Sequence, residues 1–308
     1  MGRRKGDPIH GWIAVDKPSG LTAATVVARI KRAMNAEKVG HGGTLDPLAT
    51  GILPIALGEA TKTVNFAMDG RKTYQFELVW GAQTDTDDSD GTVIATASGR
   101  PTDTEIAAAL PSFTGAVQQV PPDYSAIKVG GKRAYDLARK GENLVLEART
   151  VQVDRFSLLE NGPERAKFEV DCGKGTYIRA LVRDLARYLG TLGHISVLRR
   201  TRCGPFGLEG AISLEMLESL GHKAAASEHL LPVATVLDDI PALALTVEEA
   251  RRMRSGQSIA LWPVAKRSPL SGLTPGDAVQ VKCGETLVAV AEVGEGMVRP
   301  VRVMNLSR

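Results

Sequence analysis

Five side chains in this sequence could share one piece of chemistry if the fold brings them together: His41, Asp46, Tyr74, Tyr177 and Arg179. Asp46 is the sharpest of them. It lies in Val39-Gly40-His41-Gly42-Gly43-Thr44-Leu45-Asp46-Pro47-Leu48-Ala49-Thr50-Gly51, five residues after the histidine. Glycines 40, 42 and 43 let the backbone turn where other residues clash. Pro47 steers Asp46 away from helical angles, so its carboxylate projects from extended chain. Leu45, Leu48, Ile52 and Leu53 surround that acid with apolar side chains. A carboxylate so placed is costly unless an ion pairs with it or chemistry requires it. It is the loop's one candidate nucleophile or base. Each residue also has a plainer role open to it: Tyr74 as a strand aromatic, Arg179 as a helix charge, His41 as a turn residue.

The elements that would carry these groups can be read from periodicity. Trp12 to Val15 reads as a short strand that ends in the turn Asp16-Lys17-Pro18-Ser19-Gly20. Thr22 to Met34 is helical, with Ala23, Val26, Val27, Ile30 and Met34 on one face. After the Gly-rich loop, Ile52 to Leu57 is a buried strand, and Glu59 to Met68 is a predicted helix carrying Lys62. Lys72 to Trp80 alternates with period two, which predicts a half-buried strand holding Tyr74. Thr84 to Gly91 is acidic. It fails as a calcium loop, because aligning Gly91 puts Thr86 at the first ligand position and Ala97 where a bidentate glutamate belongs. It reads as a solvated turn. Thr104 to Leu110 and Lys132 to Arg139, closed by Gly141, read as short helices. Strands are expected at Ile127 to Val129, Val151 to Leu159, Lys167 to Cys172 and His194 to Thr201. Lys174 to Tyr177 opens a helix running to Leu189, with Ile178, Leu181, Val182, Leu185 and Leu189 on one stripe. Ile212 to Leu220 is another helix. The composition shifts near Asp238-Asp239-Ile240-Pro241. Beyond it, one basic helix, Val247 to Arg254, precedes strands at 278–282, 286–293 and 298–303.

Composition narrows the function classes. With 308 residues, 43% of them hydrophobic and 24% charged, the chain is long enough for one large or two modest folded domains. Net charge is only +3, yet the basic residues cluster at Arg3-Arg4-Lys5, Arg29 to Arg32, Lys128 to Arg133 and Arg199 to Arg202. Such clusters suit a polyanion-facing surface or, equally, solvated helix faces. Cys172, Cys203 and Cys283 are odd in number and widely spaced, which excludes a disulfide framework or zinc-type spacing and fits a reducing compartment. No apolar stretch follows the basic N-terminus, and none approaches the ~20 residues of a membrane span. A cytoplasmic location is expected. No Walker A, GxGxxG, GxSxG or HExxH pattern is present, so NTP, dinucleotide, serine-hydrolase and zincin chemistry find no support.

Taken with their flanks, the candidates form an ordered set. Asp16-Lys17-Pro18-Ser19-Gly20, Gly40 to Gly51, Lys72-Thr73-Tyr74, Tyr124-Ser125-Ala126, Lys174 to Arg179 and Leu198-Arg199-Arg200 occur in the order found in one family. The chain resembles the TruB family of pseudouridine synthases, the bacterial enzymes that isomerise uridine in the T-loop of tRNA. The resemblance covers roughly residues 11 to 220. It departs from the family at Gly42, where threonine is commoner. The tail beyond 240 is only loosely similar to the family's PUA-like RNA-binding domain.

This resemblance implies an α+β fold, a large mixed, mostly antiparallel sheet flanked by helices, with a small C-terminal β-rich PUA-like domain. Residues 1–10 read as a flexible basic arm and the composition shift sets off a small separate domain, so the resemblance implies a catalytic domain at 11–240 and the RNA-binding domain at 241–308. By position, Asp46 matches the catalytic aspartate, acting at the glycosidic linkage by attack on carbon or by abstraction of a ribose proton. Arg179 matches the arginine that pairs with it and keeps it ionised. Tyr74 matches the tyrosine that stacks on the base and assists proton transfer, and His41 the histidine that helps extrude the base. Tyr177 and Leu198 match the pocket wall, and Lys17 and Lys62 basic positions near the site. The expected partner is tRNA through its T-arm stem-loop, met by a monomer. An isomerisation needs no redox or energy input, so no cofactor and no metal are expected. Three rival readings stand beside this one: the related guide-RNA-dependent synthase, a non-catalytic RNA-binding or tRNA-folding module, and, more distantly, a metal-dependent nuclease.

Overall fold

The structure is a computed structural model that describes residues 6–125, 127–138, 140, 145–268 and 272–306. Arg3, Arg4, Lys5, Ala126, Arg139 and Gly141 lie outside the described residues, as do the side chains of Lys128, Lys132 and Arg133. The chain lays down β1 (Gly11–Lys17), α1 (Ala23–Ala33), β2 (Val39–His41), β3 (Thr50–Leu57), α2 (Val64–Asp69) and β4 (Lys72–Trp80). Next come the hairpin β5 (Ala82–Thr84) and β6 (Val93–Thr96), α3 (Asp103–Ala109) and β7 (Gly115–Gln119). A small hairpin, β8 (Lys128–Val129) and β9 (Lys132–Arg133), leads to α4 (Ala134–Ala138). After it come β10 (Arg149–Asn161), β11 (Arg165–Cys172), α5 (Ile178–Tyr188), β12 (Gly193–Cys203), β13 (Phe206–Gly207), β14 (Ile212–Ser213) and α6 (Leu214–Glu228). The last part holds β15 (Ala242–Ala244), α7 (Val247–Arg254), β16 (Ile259–Ala260), α8 (Leu261–Arg267), β17 (Ala278–Cys283), β18 (Thr286–Val293) and β19 (Met297–Val303).

A ten-stranded sheet organises the molecule, in the order β14-β1-β3-β12-β4-β11-β10-β7, with β2 on β3 and β13 on β12. Its pairings are antiparallel except β1 with β14 and β3 with β12. The fold is therefore α+β with a mixed, mostly antiparallel sheet, as expected. One sheet face is apolar because β4 alternates: Tyr74, Phe76, Leu78 and Trp80 are buried while Gln75 is exposed. Phe76 stacks on Phe168 of β11 at 5.5 Å between ring centroids. Against this face lie α1, through Val26 and Ile30, and α5, through Ile178, Leu181, Val182 and Leu185, in one continuous core.

Local chemistry fixes the helix ends. Thr22 caps α1 by accepting from the Thr25 amide, and Thr102 and Glu105 form a capping box on α3. The helix expected over Glu59 to Met68 is instead a 3-10 turn at Gly58–Lys62 followed by α2. Buried Thr63 stands between them, its hydroxyl donating to the Ala60 carbonyl. Such backbone competition by threonine interrupts helices. At the N-terminus, the chain is pinned from Asp7 onward, where its amide donates to Asn35 and its carbonyl accepts from Glu37.

The second sheet runs β15-β17-β18-β19-β16 and has its own core around Leu243, Met253, Val279 and Val288. It does not stand apart. Leu287, Val290 and Met304 share an apolar cluster with Trp12, Ile52, Ala67, Cys203 and Phe206 of the main body. Lys62 and Glu59 reach across the same seam, to the Val303 carbonyl and the Asn305 amide. Among the described residues, no helix is long and apolar enough to cross a membrane.

Candidate active site

The centre of the sheet builds the site. Strands β3 and β12 run parallel, with Thr50 beside Arg199 and Gly51 beside Arg200, and β12 sets Arg200 opposite Tyr74 of β4. Gly51 is obligatory here: its φ is +96°, and a Cβ would come within 2.2 Å of the Arg200 carbonyl oxygen. That close approach sets the loop of residues 42–49, which leads into β3, beside β12 at the centre of the sheet.

Four of the buried cations then hold loops in place. Lys17 is fully buried, and its ammonium donates to the carbonyls of Pro18 (2.9 Å), Leu21 (2.7 Å) and Pro47 (3.1 Å). Burial pushes its pKa down to about 8, with Asp46 opposing the shift and Arg200 adding to it. The turn after β1 also donates the Gly20 amide to Pro47 and the Ser19 hydroxyl to Leu48. Arg200 donates Nε to Ile52 (2.7 Å), Nη1 to Thr44 (3.3 Å) and Nη2 to Gly43 (3.2 Å), all main-chain carbonyls. The loop around Asp46 thus owes its shape to two side chains distant in sequence.

Asp46 itself is reached by Arg179, from the first turn of α5. Nε of Arg179 lies 2.9 Å from Asp46 Oδ2, though its N–H is not aimed along that line; the contact is an ion pair without an aligned hydrogen bond. The two partners differ sharply in exposure: the arginine side chain is 5% exposed, the aspartate side chain 35%. The carboxylate is therefore not sealed in apolar surroundings, as its leucine neighbours suggested. It stands at a mouth, with a fixed cation behind it. Arg179 is oriented by donating Nη1 to Thr86 and Nη2 to Tyr124, each carbonyl at 2.9 Å, and Asp88 Oδ2 lies 3.5 Å from its Nε.

The acidic turn is thus solvated only in part, at Asp85, Ser89 and Asp90. Asp87 and Asp88 are each 5% exposed, and Asp87 pairs with Arg183 at 3.0 Å, on the next turn of α5 (the fourth of these cations). Burial raises the Asp87 pKa, against the pull of Arg183.

Tyr74 lies on the same sheet face. Burial, opposed by the positive charge of Arg200, pushes its pKa up to about 12. Its phenol stays protonated at physiological pH and can donate a proton or offer a ring face, but is no ready base. His41, at the end of β2, has its pKa lowered by burial and by Arg200, so it is uncharged at neutral pH; its Nδ1 is buried without a hydrogen-bond partner. Tyr177 caps α5 and is gripped by Gln119, whose side-chain amide accepts from the Tyr177 N–H (2.8 Å) and donates to its carbonyl (3.1 Å). Leu198 is buried on β12, two residues before Arg200 and so on its face. Lys62 is engaged elsewhere, with the Glu59 carboxylate and the Val303 carbonyl at the seam with the second sheet.

Gly42 is filled from outside. A Cβ there would meet Ala67 at 2.8 Å and Pro54 and Trp12 at 3.3 Å, so these side chains occupy the space a threonine would need. The sequence reading did not single out Asp88, Gln119 and Arg183, and it used Arg200 only as part of a motif. Arg199-Arg200 and the acidic run were visible signals; Gln119 left none. Among the described residues, no group of three or more His, Cys, Asp or Glu side chains could hold a metal ion.

A partly exposed carboxylate held by a buried guanidinium is an arrangement that can serve as a nucleophile or a base. Solved structures with the same fold include a Cbf5-Nop10-Gar1 complex (TM-score 0.75, 26% identity, 99% of this chain and 90% of that one). An H/ACA RNP bound to a substrate RNA containing 2'-deoxyuridine is also similar (TM-score 0.72, 25% identity, 99% and 90%). Residues 31–178 match the N-terminal domain of TruB family pseudouridylate synthases, and 179–238 match the tRNA pseudouridylate synthase B C-terminal domain. The tRNA pseudouridine synthase B of Rhodospirillum rubrum is 53% identical over 99% of both chains, and that of Caulobacter vibrioides 52% over 99% of both. The chain belongs to the TruB family of pseudouridylate synthases. It is an isomerase of uridine.

Proposed function

We propose that this chain converts uridine 55 in the T-loop of tRNA to pseudouridine, with Asp46 as the carboxylate that acts at the glycosidic linkage. The observation that carries this reading is the asymmetry of the Asp46–Arg179 pair: the guanidinium is buried and held by two main-chain carbonyls, while the carboxylate stays open to a ligand. In the same reading Tyr74 stacks on the extruded base, His41 aids the extrusion, and Tyr177 and Leu198 wall the pocket. Extrusion costs a few kcal/mol and is offset by stacking and pocket contacts. Lys17 belongs to this set as a holder of the Pro47 carbonyl, and Lys62 as a basic position at the seam. The partner is tRNA, held largely by phosphate contacts to a rim that includes the second sheet, and the protein acts as a cytoplasmic monomer.

The test is Asp46→Asn with a T-arm stem-loop RNA and the purified chain alone. Turnover should vanish while RNA affinity stays within a few-fold, because phosphate contacts dominate affinity. Residual turnover above a tenth of wild type would remove Asp46 from the mechanism. A purified chain inert on the free stem-loop would favour the guide-dependent reading instead.

A further inference from the structure

Arg179 and Arg183 stand one turn apart on α5 and straddle the same two segments. Arg179 donates to the Thr86 carbonyl on the acidic turn and to the Tyr124 carbonyl on the chain leaving β7. Arg183 repeats the pattern: Nη1 donates to Asp87 Oδ2 at 3.0 Å, Nη2 to the Val120 carbonyl at 2.7 Å, and Nε to Asp184 at 2.9 Å. Two parallel clamps thus tie residues 86–88 and 120–124 to one helix.

Asp87 is the unusual member. It is a buried carboxylate in the left-handed region, at φ +59°. A non-glycine residue held there stores strain. A buried ion pair adds little net stability over apolar packing. Fold stability alone does not account for such an arrangement, but the placement of the next residue does. The left-handed turn at Asp87 sends its carbonyl to the Ile195 amide (3.1 Å) and turns Asp88 inward. The Asp88 carboxylate then accepts from Thr86 Oγ1 and the Asp90 amide and faces Arg179 Nε, which lies against Asp46.

We propose that Asp87 and Arg183 are a positioning pair for the isomerisation. Their ion pair fixes the acidic turn and the 120–124 segment against α5, and thereby sets the direction from which Arg179 meets Asp46. Neither residue touches the reacting atoms. The inference rests on the reading of Asp46 as the catalytic carboxylate.

The experiment compares Asp87→Gly, Asp87→Asn, Arg183→Gln, Arg183→Lys, the double variant Asp87→Asn/Arg183→Gln and Asp46→Asn. Each is assayed for single-turnover pseudouridine formation at saturating enzyme, for affinity to a T-arm stem-loop RNA and for thermal midpoint. Asp87→Gly relieves the strain at φ +59° but strands the buried Arg183 charge, so its thermal midpoint should fall although it stays folded at the assay temperature. It should nevertheless lose tenfold or more of the single-turnover rate, with affinity within threefold. Arg183→Gln should do the same, Arg183→Lys should recover part of the loss, and the double variant should be no slower than the worse single one. Single-turnover rates within twofold of wild type would overturn the inference, as would losses that only track the unfolded fraction. Weakened binding at an unchanged saturated rate would overturn it too. Turnover by Asp46→Asn would overturn the functional reading itself and this inference with it. An inert Asp46→Asn beside fully active Asp87 and Arg183 variants would overturn the inference alone.

Discussion

Arg200→Lys isolates what holds the Asp46 loop. Arginine at 200 spreads three donors over the carbonyls of Ile52, Thr44 and Gly43 at 2.7, 3.3 and 3.2 Å. Lysine has one nitrogen on a longer stem and no planar fork, so it can satisfy one of these directions well. The Ile52 bond is the shortest and is the one it should keep. Two carbonyls are then left without a charged donor. A hydrogen bond from a charged group contributes about 1.5–3 kcal/mol, and at 3.2–3.3 Å the lower end applies, giving a loss of about 3 kcal/mol. At an unfolding entropy of about 2.1 cal/mol/K per residue, that lowers the melting temperature of a 308-residue chain by roughly 5 °C. The larger effect should fall on rate. Gly43 and Thr44 lie three and two residues before Asp46, and a displacement of about 1 Å at a reacting group can cost on the order of 100-fold. Urea unfolding measures the stability term. Release of tritium from 5-tritiated uridine under single-turnover conditions measures the rate, because forming the carbon–carbon glycosidic bond frees the hydrogen at C5. A stability loss near 3 kcal/mol with an undiminished rate would show that Arg200 only staples the sheet. A loss below about 0.5 kcal/mol would show that the fork does not make these bonds in solution.

The geometry sets two further outcomes. Lys17 titrates near pH 8, so a neutral amine with two N–H groups will face three carbonyls above that pH, and turnover should decline through about pH 8. The folded state loses this proton before the unfolded state does, so Lys17 contributes a rise, not a fall, in stability between about pH 8 and its ordinary 10.5. A pH–rate profile flat to pH 10 refutes this. Truncation after Ile240 should destabilise the remaining body, because it strips Leu287, Val290 and Met304 from the cluster around Trp12 and Ile52, at roughly 1.5–3 kcal/mol for each buried side chain. An unchanged melting temperature of the truncated chain would show that the second sheet rests on the first without supporting it.

The sequence made some parts of this fold plain for identifiable reasons. The period-two run from Lys72 to Trp80 and the stripe from Ile178 to Leu185 are dictated by one buried face each, and both match the structure. The helix Val247–Arg254 begins at a Thr246 capping box whose signal is local. What failed depended on partners far along the chain. Thr84 to Gly91 is acidic and Gly-ended, which resembles a solvated turn until Arg179 and Arg183, more than ninety residues on, supply the countercharges. The two-residue strands β13, β14 and β16 are too short for any period to show. Likewise the leucines around Asp46 pointed to a buried acid, but Leu45 turns into the core while the aspartate turns out.

The same limit applies to the basic residues, and it explains how the site works. Of Lys17, Arg179, Arg183 and Arg200, only Arg200 falls in a basic cluster of the kind that suits a polyanion-facing surface or a solvated helix face. In the fold all four are buried and point at main-chain oxygens: Pro18, Leu21 and Pro47; Thr86 and Tyr124; Val120; Ile52, Thr44 and Gly43. The loop bearing Asp46, residues 42–49, joins no strand ladder. Its carbonyls must still find donors. Charged donors are the strongest available and reach across several residues. Two of them also bring positive charge to one carboxylate: Arg179 lies in direct contact with Asp46, and Lys17 is close enough to feel its charge. That arrangement keeps Asp46 rigid and leaves its open side free for a ligand, which a hydrogen bond from every side would block.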